Sequence, residues 1–490
     1  MLVLVPAVFV VVAAPALADA SAILGGAGSS TAVEAITPGW AAGFLIAIAM
    51  YFQVSIARST DVRLAQSGYP PWRIVTARIG TGLLIATGVS VVAVLALILR
   101  TGTGITDRTV AGTAAFAVIY LGIGTAVGAT VPTAINGTVL ILFIWILDVF
   151  FGPSMSAAQQ VPLRLMPTHL TTMWALDLPT DHATPLSNLV GMATWAALSL
   201  AVATVLLLRM VGPVRHGSTL RRTVVTGRFA ADLRAGLLGL ARTPLLWGLL
   251  VVVPVVFITL ARAVTPSGTT FVAVLEHGRS ELRSYDPAQI HGAVMAPIAV
   301  ASLAALVGLF LALDDRAGDR RLALAGGGRF LIVASRLLII IMAALGVTAV
   351  ALAVTGAQFT PGRWLVYALG NGLVAVTYGL IGVLIGPLFG RVAGVFVAFL
   401  APFLDIGISQ SPMLHAQPDR WAEYLPGYGG VRVAVDGALT TGFDQAAALA
   451  AATAWVAVLA ALTLYVVSRQ LPHAAGTRAA SAVPAQLPPA

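Results

Sequence analysis

The sequence predicts an all-α integral membrane protein with twelve transmembrane helices, arranged as two tandem six-helix repeats about a parallel pseudo-twofold axis along the membrane normal. Three observations carry this prediction. Of 490 residues, 58% are hydrophobic and 10% are charged, with a mean hydropathy of +0.94, whereas about a quarter of the residues in a soluble domain are charged. Many uncharged stretches have the length of about 20 residues that one bilayer crossing needs. Polar loop residues recur 258 positions apart, as at Asp61 and Asp319.

The uncharged stretches divide the chain into twelve spans. Thr109–Leu147 carries no charge over 39 residues, which is too long for one crossing, and the turn-like stretch Pro132–Gly137 divides it in two. The predicted spans are residues 2–18, 38–57, 79–99, 110–131, 134–151, 187–208, 244–263, 291–313, 337–356, 364–386, 391–408 and 446–468.

The distribution of arginine predicts the orientation of these spans. The loops after the even-numbered spans carry 19 Arg and 5 acidic residues, whereas the opposite side carries 9 Arg and 14 acidic residues. Because Arg-rich loops stay in the cytoplasm, we expect both termini to be cytoplasmic. The excess of positive charge follows from this bias, and no Arg cluster with interleaved aromatic residues suggests a nucleic-acid partner.

The two halves of the chain resemble each other in their loops as well as in their apolar helices, which indicates an internal duplication. Asp61–Arg78 aligns without a gap on Asp319–Arg336. The retained pairs include Arg63 and Arg321, Leu64 and Leu322, Gly68 and Gly326, Arg78 and Arg336, Trp72 and Phe330, Tyr120 and Tyr378, Gly124 and Gly382, Gly128 and Gly386, Asp148 and Asp405, Pro167 and Pro426, and Asp177 and Asp436.

The duplication predicts four segments. These are a first six-span unit at 1–210, a cytoplasmic linker at 211–243, a second six-span unit at 244–469 and a disordered tail at 470–490. The linker contains an amphipathic helix at Arg228–Arg242, which has no counterpart before Met1. Either the first unit lacks this helix or the start is assigned too late; a signal peptide over residues 1–20 is a third interpretation.

The composition excludes several kinds of enzyme. The chain has 28 basic residues, all Arg, and no Cys. Without Lys it cannot form the phosphate-binding site of a P-loop ATPase or a Schiff base, and without Cys it has no thiolate nucleophile or Cys-bound metal. The seven His have no metal-ligand spacing, so we expect no catalytic residue, no metal site and no cofactor within the chain.

Two cytoplasmic loops, one in each half, have the composition of docking elements. Each combines Arg, a short apolar helix-like stretch, Gly and an aromatic residue, although the arginines alone would also be expected merely to fix topology. The candidate docking residues are Arg63, Leu64, Gly68, Trp72 and Arg73 in the first loop and Arg321, Leu322, Gly326, Arg329 and Phe330 in the second.

With these loops, the chain resembles the membrane subunit of an ABC-2 type exporter, in the fused two-unit form of antibiotic and multidrug export permeases. The resemblance implies that Asp61–Arg73 and Asp319–Arg329 couple to two copies of a separate ATPase, which binds ATP and Mg²⁺. It also implies export of a hydrophobic drug-like or lipid compound across the bacterial inner membrane, and a surface role for the helix at Arg228–Arg242.

The main alternative is a proton-coupled carrier of the major facilitator type. Asp315–Arg321 resembles the conserved loop of those carriers, which also have six plus six spans. The corresponding first-half loop, Ser59–Ala65, lacks the pattern, and the outer loops at 153–186 and 409–445 are long for such a carrier.

Four residues near the outer ends of the spans are candidates for a pathway or gate: Asp148, Asp405, Pro167 and Pro426. A carboxylate within a membrane is costly and suggests an ion or substrate path. Asp148 and Asp405 both end the fifth span of their unit, however, where they could instead cap a following helix. Both interpretations stay open from the sequence.

Overall fold

The computed structural model describes residues 4–24, 26, 29–102, 105–155, 161–178, 184–211, 244–324 and 328–471. These residues are almost entirely helical. The helices of the first half are α1 (Leu4–Leu24), α2 (Ser30–Gln66), α3 (Pro71–Thr101), α4 (Asp107–Thr130), α5 (Ala134–Phe150), α6 (Val161–Arg164), α7 (His169–Leu176) and α8 (Pro185–Val211).

The second half follows a related order with one insertion and two breaks. Its elements are α9 (Pro244–Val264), β1 (Thr270–Glu276), β2 (Arg279–Tyr285), α10 (Pro287–Asp314), α11 (Arg316–Leu324), α12 (Arg329–Gly356), α13 (Trp364–Pro402), a π-helical turn at Phe403–Ser409, a 3₁₀ turn at Arg420–Tyr424, α14 (Tyr428–Leu439) and α15 (Ala446–Gln470).

The helices identify a multi-pass membrane protein. Within the described residues, nine helices are long and apolar enough to cross a bilayer, and one of them, Trp364–Ser409, covers two predicted spans. Ala134–Phe150 and Gly248–Val264 are shorter apolar helices. Every predicted span therefore overlaps a helix, while the number of crossings stays a prediction. We call the two ends of the bundle the inner end, where the Arg-rich loops predict the cytoplasm, and the outer end.

Glycines let the helices of the second and fourth predicted spans of each half pack closely. A Cβ on Gly124 of α4 would collide with the backbone of Ala47 in α2, and a Cβ on Gly382 of α13 would collide with the backbone of Ala305 in α10. Small residues at such contacts allow two helix backbones to approach each other. These two pairs of helices form the core of each half.

Aromatic rings fill the contact between the two halves. Phe44 of α2 lies 5.7 Å from Phe396 and 6.0 Å from Phe399, measured between ring centroids. Trp145 of α5 lies 5.5 Å from Phe399 in an edge-to-face arrangement, the geometry that aromatic pairs prefer. We call this group of rings the aromatic seam; farther out, Phe150 and Phe403 extend it at 5.4 Å.

The described residues fit the predicted helical membrane class, and they also contain a β-hairpin at the outer end of the second half, which was not predicted. β1 and β2 pair antiparallel, with Glu276 opposite Arg279. The two turn residues, His277 and Gly278, have φ values of 52° and 73°, as a two-residue type I′ turn requires. The strand is anchored because Ala273 N donates to the carbonyl of Ala416 at 2.9 Å.

Two helix boundaries differ from the predicted spans. α2 has 37 residues, so at about 1.5 Å per residue it is far longer than the roughly 30 Å hydrocarbon core of a bilayer. The corresponding second-half segment ends at Asp314 and resumes as α11. The predicted spans 364–386 and 391–408 correspond to two helices, which meet at a kink at Gly390 without an intervening loop; the φ of Gly390, 67°, is left-handed. The predicted connecting helix at Arg228–Arg242, and the tail beyond residue 471, lie outside the described residues.

Candidate functional site

Asp148 is the centre of a buried hydrogen-bond group at the outer end of the first half. The residue is only 3% exposed. Tyr120 of α4 donates its hydroxyl to Oδ2 at 2.8 Å. Thr168 donates its backbone N–H to Oδ1 at 3.1 Å and its hydroxyl to Oδ2 at 2.7 Å. Three donors from two other segments therefore surround one carboxylate.

Asp405 has a matching group in the second half. It lies in the π-helical turn and is 5% exposed. Tyr378 of α13 donates its hydroxyl to Oδ2, and Gly427 donates its backbone N–H to the same oxygen at 2.7 Å. A Cβ on Gly427 would come within 2.8 Å of that oxygen, so glycine permits the close approach. Gln410 Nε2 is a longer contact, at 3.4 Å.

The structure brings the four predicted gate residues together in two pairs. Pro167 immediately precedes Thr168, the N-cap of α7, and Pro426 immediately precedes Gly427, the N-cap of α14. Each aspartate of the fifth span therefore binds the backbone at the start of the short outer helix that follows. This geometry supports the capping interpretation. Any movement of α7 or α14 away from the bundle would have to break the hydrogen bond to its aspartate. A gating role for the two aspartates therefore stays a prediction.

An ion pair ties the short outer helix to the fourth span in each half. Arg108 Nη1 lies 2.5 Å from Asp177 Oδ1, and Arg363 Nη2 lies 2.6 Å from Asp436 Oδ2. The first pair is exposed, whereas the Asp436 side chain is 1% exposed. Burial raises the pKa of Asp436, and the Thr440 hydroxyl and Arg363 oppose that rise.

At the inner end of the first half, the predicted docking residues lie on the tip where α2 turns into α3. Gly68 has a φ of 91° and ends α2, and Pro71 begins α3. Trp72 is 58% exposed, and the Arg73 guanidinium lies 5.2 Å from its ring centroid. Leu64 is exposed, as is Arg63. There is no separate helix here, because α2 itself continues to Gln66.

A buried ion pair holds this tip. Arg78 of α3 donates Nε to Oδ2 of Asp61 at 3.0 Å and Nη2 to Oδ1 at 2.7 Å. The Asp61 side chain is 2% exposed. Such a two-point guanidinium–carboxylate contact fixes geometry as well as charge. We call this pair the first brace.

The second half has a related brace with one more carboxylate. Arg336 of α12 binds Asp319 at 2.8 Å and Asp315 at 2.7 Å, and we call these three residues the second brace. Burial raises the pKa of Asp315, and Arg336 opposes that rise. Phe330 is 70% exposed.

The other predicted docking residues of the second half have varied placements. Arg321 is exposed, while Leu322 and Arg329 are half-buried. Gly326 lies outside the described residues.

Sequence reasoning missed the two tyrosines and the two braces as functional elements. Tyr120 and Tyr378 stood in the internal alignment, as did Arg78 and Arg336, but their partners were not inferred. The signal was present, because a polar residue retained in both copies of an apolar helix needs a buried partner.

An apolar cavity with a volume of about 80 Å³ lies beside the aromatic seam near the outer end. Phe151, Phe257, Met295 and Phe403 are among its lining residues. Within the described ranges, no three His, Asp or Glu side chains are grouped closely enough to hold a metal ion.

In comparisons with known proteins, no protein-family model matches the chain, and no curated protein sequence matches it either. The physical arrangement of its own residues therefore carries the functional argument.

Proposed function

We propose that this chain is the membrane subunit of an ATP-driven exporter of the ABC-2 type, fused from two six-span units. In this proposal its twelve spans form two parallel repeats about an axis along the membrane normal. The ATP and Mg²⁺ belong to two copies of a separate ATPase, and the chain itself catalyses no reaction. The cargo is a hydrophobic or amphipathic compound, such as a drug, an antibiotic or a lipid.

Repeated contacts support the duplication. Residue types that recur at a fixed spacing support a duplication only weakly. Pairs of residues that recur at that spacing and are in contact in both halves support it more strongly, because the same three-dimensional arrangement must then occur twice. The equivalent pairs are Asp61–Arg78 and Asp319–Arg336, Tyr120–Asp148 and Tyr378–Asp405, and Ala47–Gly124 and Ala305–Gly382.

The observation that carries the ATPase partner is the presence of two braced, exposed tips at the inner end. Trp72 and Phe330 occupy equivalent positions in the alignment and are 58% and 70% exposed. Aromatic side chains are enriched in protein–protein interfaces, and in each half the arginine of the brace, Arg78 or Arg336, follows the exposed ring by six residues. Two such tips fit two ATPase subunits, whose ATP-driven closure would move the tips.

The composition of the seam supports the class of cargo. The rings of Phe44, Trp145, Phe396 and Phe399 leave little polar surface between the halves. Separation of the halves would expose an apolar, aromatic path suited to hydrophobic compounds. In this proposal the Arg-rich loops lie in the cytoplasm of a bacterial cell, so both termini face inward, and the cargo is exported across the inner membrane.

Affinity purification of the full chain from its native host tests this proposal. We expect a P-loop ATPase to co-purify and vanadate to block ATP-dependent uptake of the cargo into inverted vesicles. The double variant Trp72→Ala/Phe330→Ala should lose most of the ATPase while the membrane protein is recovered in full.

Tyr424→Ala is the matched control, because Tyr424 is an aromatic side chain that is 80% exposed at the outer end. It should retain the ATPase. If no ATPase co-purifies and transport instead collapses with the proton gradient, the proposal is wrong and the major facilitator alternative replaces it.

A further inference from the structure

A polar cavity opens at the inner end of the second half, behind the second brace. Its volume is about 320 Å³, within the range of about 300–1,000 Å³ that is usual for small-molecule sites. Its wall comes from α10, α11, α12, α13 and α15. The cavity therefore lies between membrane helices and is not a surface cleft of one element.

The charged part of the wall is strongly basic. Arg316 and Arg320 of α11 line it, together with Arg336 and Asp319 of the second brace. Arg336 is paired with Asp319, which also lines the cavity, and with Asp315. Arg316 and Arg320 form no ion pair with any residue in the described part of the chain. Three arginines and one carboxylate line the cavity, so its wall carries a net positive charge.

The remaining wall is apolar and runs toward the membrane interior. Leu337 and Ile340 of α12, Val383 of α13 and Val467 of α15 line it. Only 22% of the most apolar window of α15 is buried within the protein, so this helix faces lipid. The cavity is amphipathic, with guanidinium groups at headgroup depth and branched aliphatic side chains below them.

The first half does not carry this combination. The alignment places Val62 opposite Arg320, and Met210 opposite Gln470 of the cavity wall. Arg58, the counterpart of Arg316, donates Nη2 to the carbonyls of Gly128 at 3.1 Å and Ala129 at 2.6 Å. The basic cavity therefore belongs to the second half and is not required by the shared fold.

We propose that this cavity binds an anionic phospholipid, with its phosphate on Arg316 and Arg320 and one acyl chain along the apolar wall. Basic pockets between transmembrane helices at the cytoplasmic side suit such headgroups. Guanidinium groups bind phosphate oxygens through paired hydrogen bonds. A zwitterionic lipid with the same acyl chains lacks the net negative charge that the positively charged wall of the cavity selects.

Native mass spectrometry of the purified full chain tests the proposal without an ATPase or a transport substrate, so its failure is separate from failure of the proposed function. The probes are phosphatidylglycerol, phosphatidylcholine with the same acyl chains, and inorganic phosphate. In native mass spectrometry we expect phosphatidylglycerol to stay bound to the chain, and in thermal melting we expect it to raise the melting temperature. The double variant Arg316→Gln/Arg320→Gln should bind this lipid about 30-fold more weakly, because each Arg near an anionic lipid changes affinity about fivefold.

Arg63→Gln/Arg73→Gln is the matched control, because it removes the same charge from the inner end outside the cavity. It should leave phosphatidylglycerol binding unchanged. Melting in phosphatidylcholine checks that both variants are folded. The proposal is wrong if phosphatidylcholine binds as tightly as phosphatidylglycerol, or if the Arg316→Gln/Arg320→Gln variant binds phosphatidylglycerol as tightly as the unmodified chain. If inorganic phosphate alone raises the melting temperature as much as phosphatidylglycerol does, the ligand is a free anion and not a lipid.

Discussion

The two halves of the molecule agree at the outer end and differ at the inner end. At the outer end, each has a buried aspartate bound by a tyrosine hydroxyl and by the first N–H of a short helix. At the inner end, α2 runs unbroken past Asp61, whereas the equivalent segment breaks after Asp314 and its brace has two carboxylates.

This difference separates what the repeated fold requires from what one half has added. Helix contacts through Gly124 and Gly382, and the two aspartate groups, are shared and hold the bundle together. The break, the extra Asp315 and the basic cavity occur where the second half departs from the first. Mutations can test this division. Substitutions at equivalent shared positions should change the free energy of unfolding equally in the two halves, whereas substitutions at the divergent positions should change it unequally.

The largest expected effect is at the buried aspartates. Asp148→Ala and Asp405→Ala should each lower the free energy of unfolding by about 4 kcal/mol, because each leaves several buried donors without an acceptor. Thermal melting of the purified variants measures this, with the exposed Asp419→Ala as the control.

A clearly smaller loss at either aspartate would break the equivalence of the two outer ends. Asp148→Asn and Asp405→Asn keep an acceptor oxygen and separate stability from transport. If transport and expression are unchanged in the double Asn variant, these residues cap helices and do not gate.

The close helix contacts should come next. Gly124→Ala and Gly382→Ala place a Cβ against the backbone of Ala47 and Ala305, and each should cost about 3 kcal/mol because neither helix can yield without repacking. Denaturation of the two variants in the same detergent should give matching losses.

Gly88→Ala and Gly346→Ala provide the control, since a Cβ at either position meets nothing within 4 Å. These two positions are also 258 residues apart, in α3 and α12. Each substitution should raise stability by up to about 1 kcal/mol through helix propensity. A loss at these positions would show that glycine is needed there for another reason.

The braces should be unequal. Arg78→Ala removes the guanidinium partner of one carboxylate and should cost about 1 kcal/mol. Arg336→Ala removes the guanidinium that two carboxylates share and should cost about 2 kcal/mol. Both values are modest because the two arginines are partly exposed and solvent weakens the attraction that is lost. Burial, and then the neighbouring Asp314 carboxylate, raise the pKa of Asp315, and Arg336 opposes that rise. The stability lost in Arg336→Ala should therefore be largest when Asp315 is ionised and should shrink as the pH falls through its raised pKa. Equal losses at all pH values would contradict the interpretation that Arg336 serves two carboxylates.

The smallest effect on stability is expected at the exposed aromatic residues of the tips. Trp72→Ala and Phe330→Ala should each change the free energy of unfolding by less than about 0.5 kcal/mol, because their side chains make little internal contact. Melting curves should be recorded for the same variants that are used in the ATPase co-purification. If the melting temperature is unchanged, any loss of the ATPase is due to the missing aromatic side chain at the surface and not to unfolding. A large loss of stability would show that the tips are part of the core.

The lengths of the apolar stretches predicted the positions of the membrane helices well, because bilayer thickness sets the length of a crossing. The distribution of Arg predicted their orientation, because topology determines on which side Arg-rich loops lie. Neither signal could predict where a helix stops outside the membrane, so the extension of α2 to Gln66 was missed. The separation of spans 364–386 and 391–408 was predicted, and the structure places it at the kink at Gly390. The hairpin at β1 and β2 was missed because His277–Gly278 is a less common turn pair than Asn-Gly.

The candidate site was predicted residue by residue but not as contacts. Asp148, Pro167, Asp405 and Pro426 were chosen because they recur, and the structure places each aspartate beside the residue that follows its proline. That contact depends on how α7 and α14 fold back onto the bundle, which no local sequence signal specifies. Two arginines of the cavity were placed in the stretch Asp315–Arg321 that resembles the facilitator loop, and one of them, Arg320, also in the predicted docking element. No cavity was predicted there, because the helices that enclose it meet only in three dimensions.

The unbroken α2 has a mechanical consequence. At about 1.5 Å per residue, roughly 26 Å of continuous helix separates Phe44 in the aromatic seam from Asp61 in the first brace. A rod of that length that tilts by about 10° displaces its tip by about 4–5 Å relative to the seam. The first half thus contains a stiff lever between its inner tip and the contact of the two halves. In the second half the break after Asp314 places a joint in the corresponding lever, so equal pushes on the two tips would reach the seam unequally.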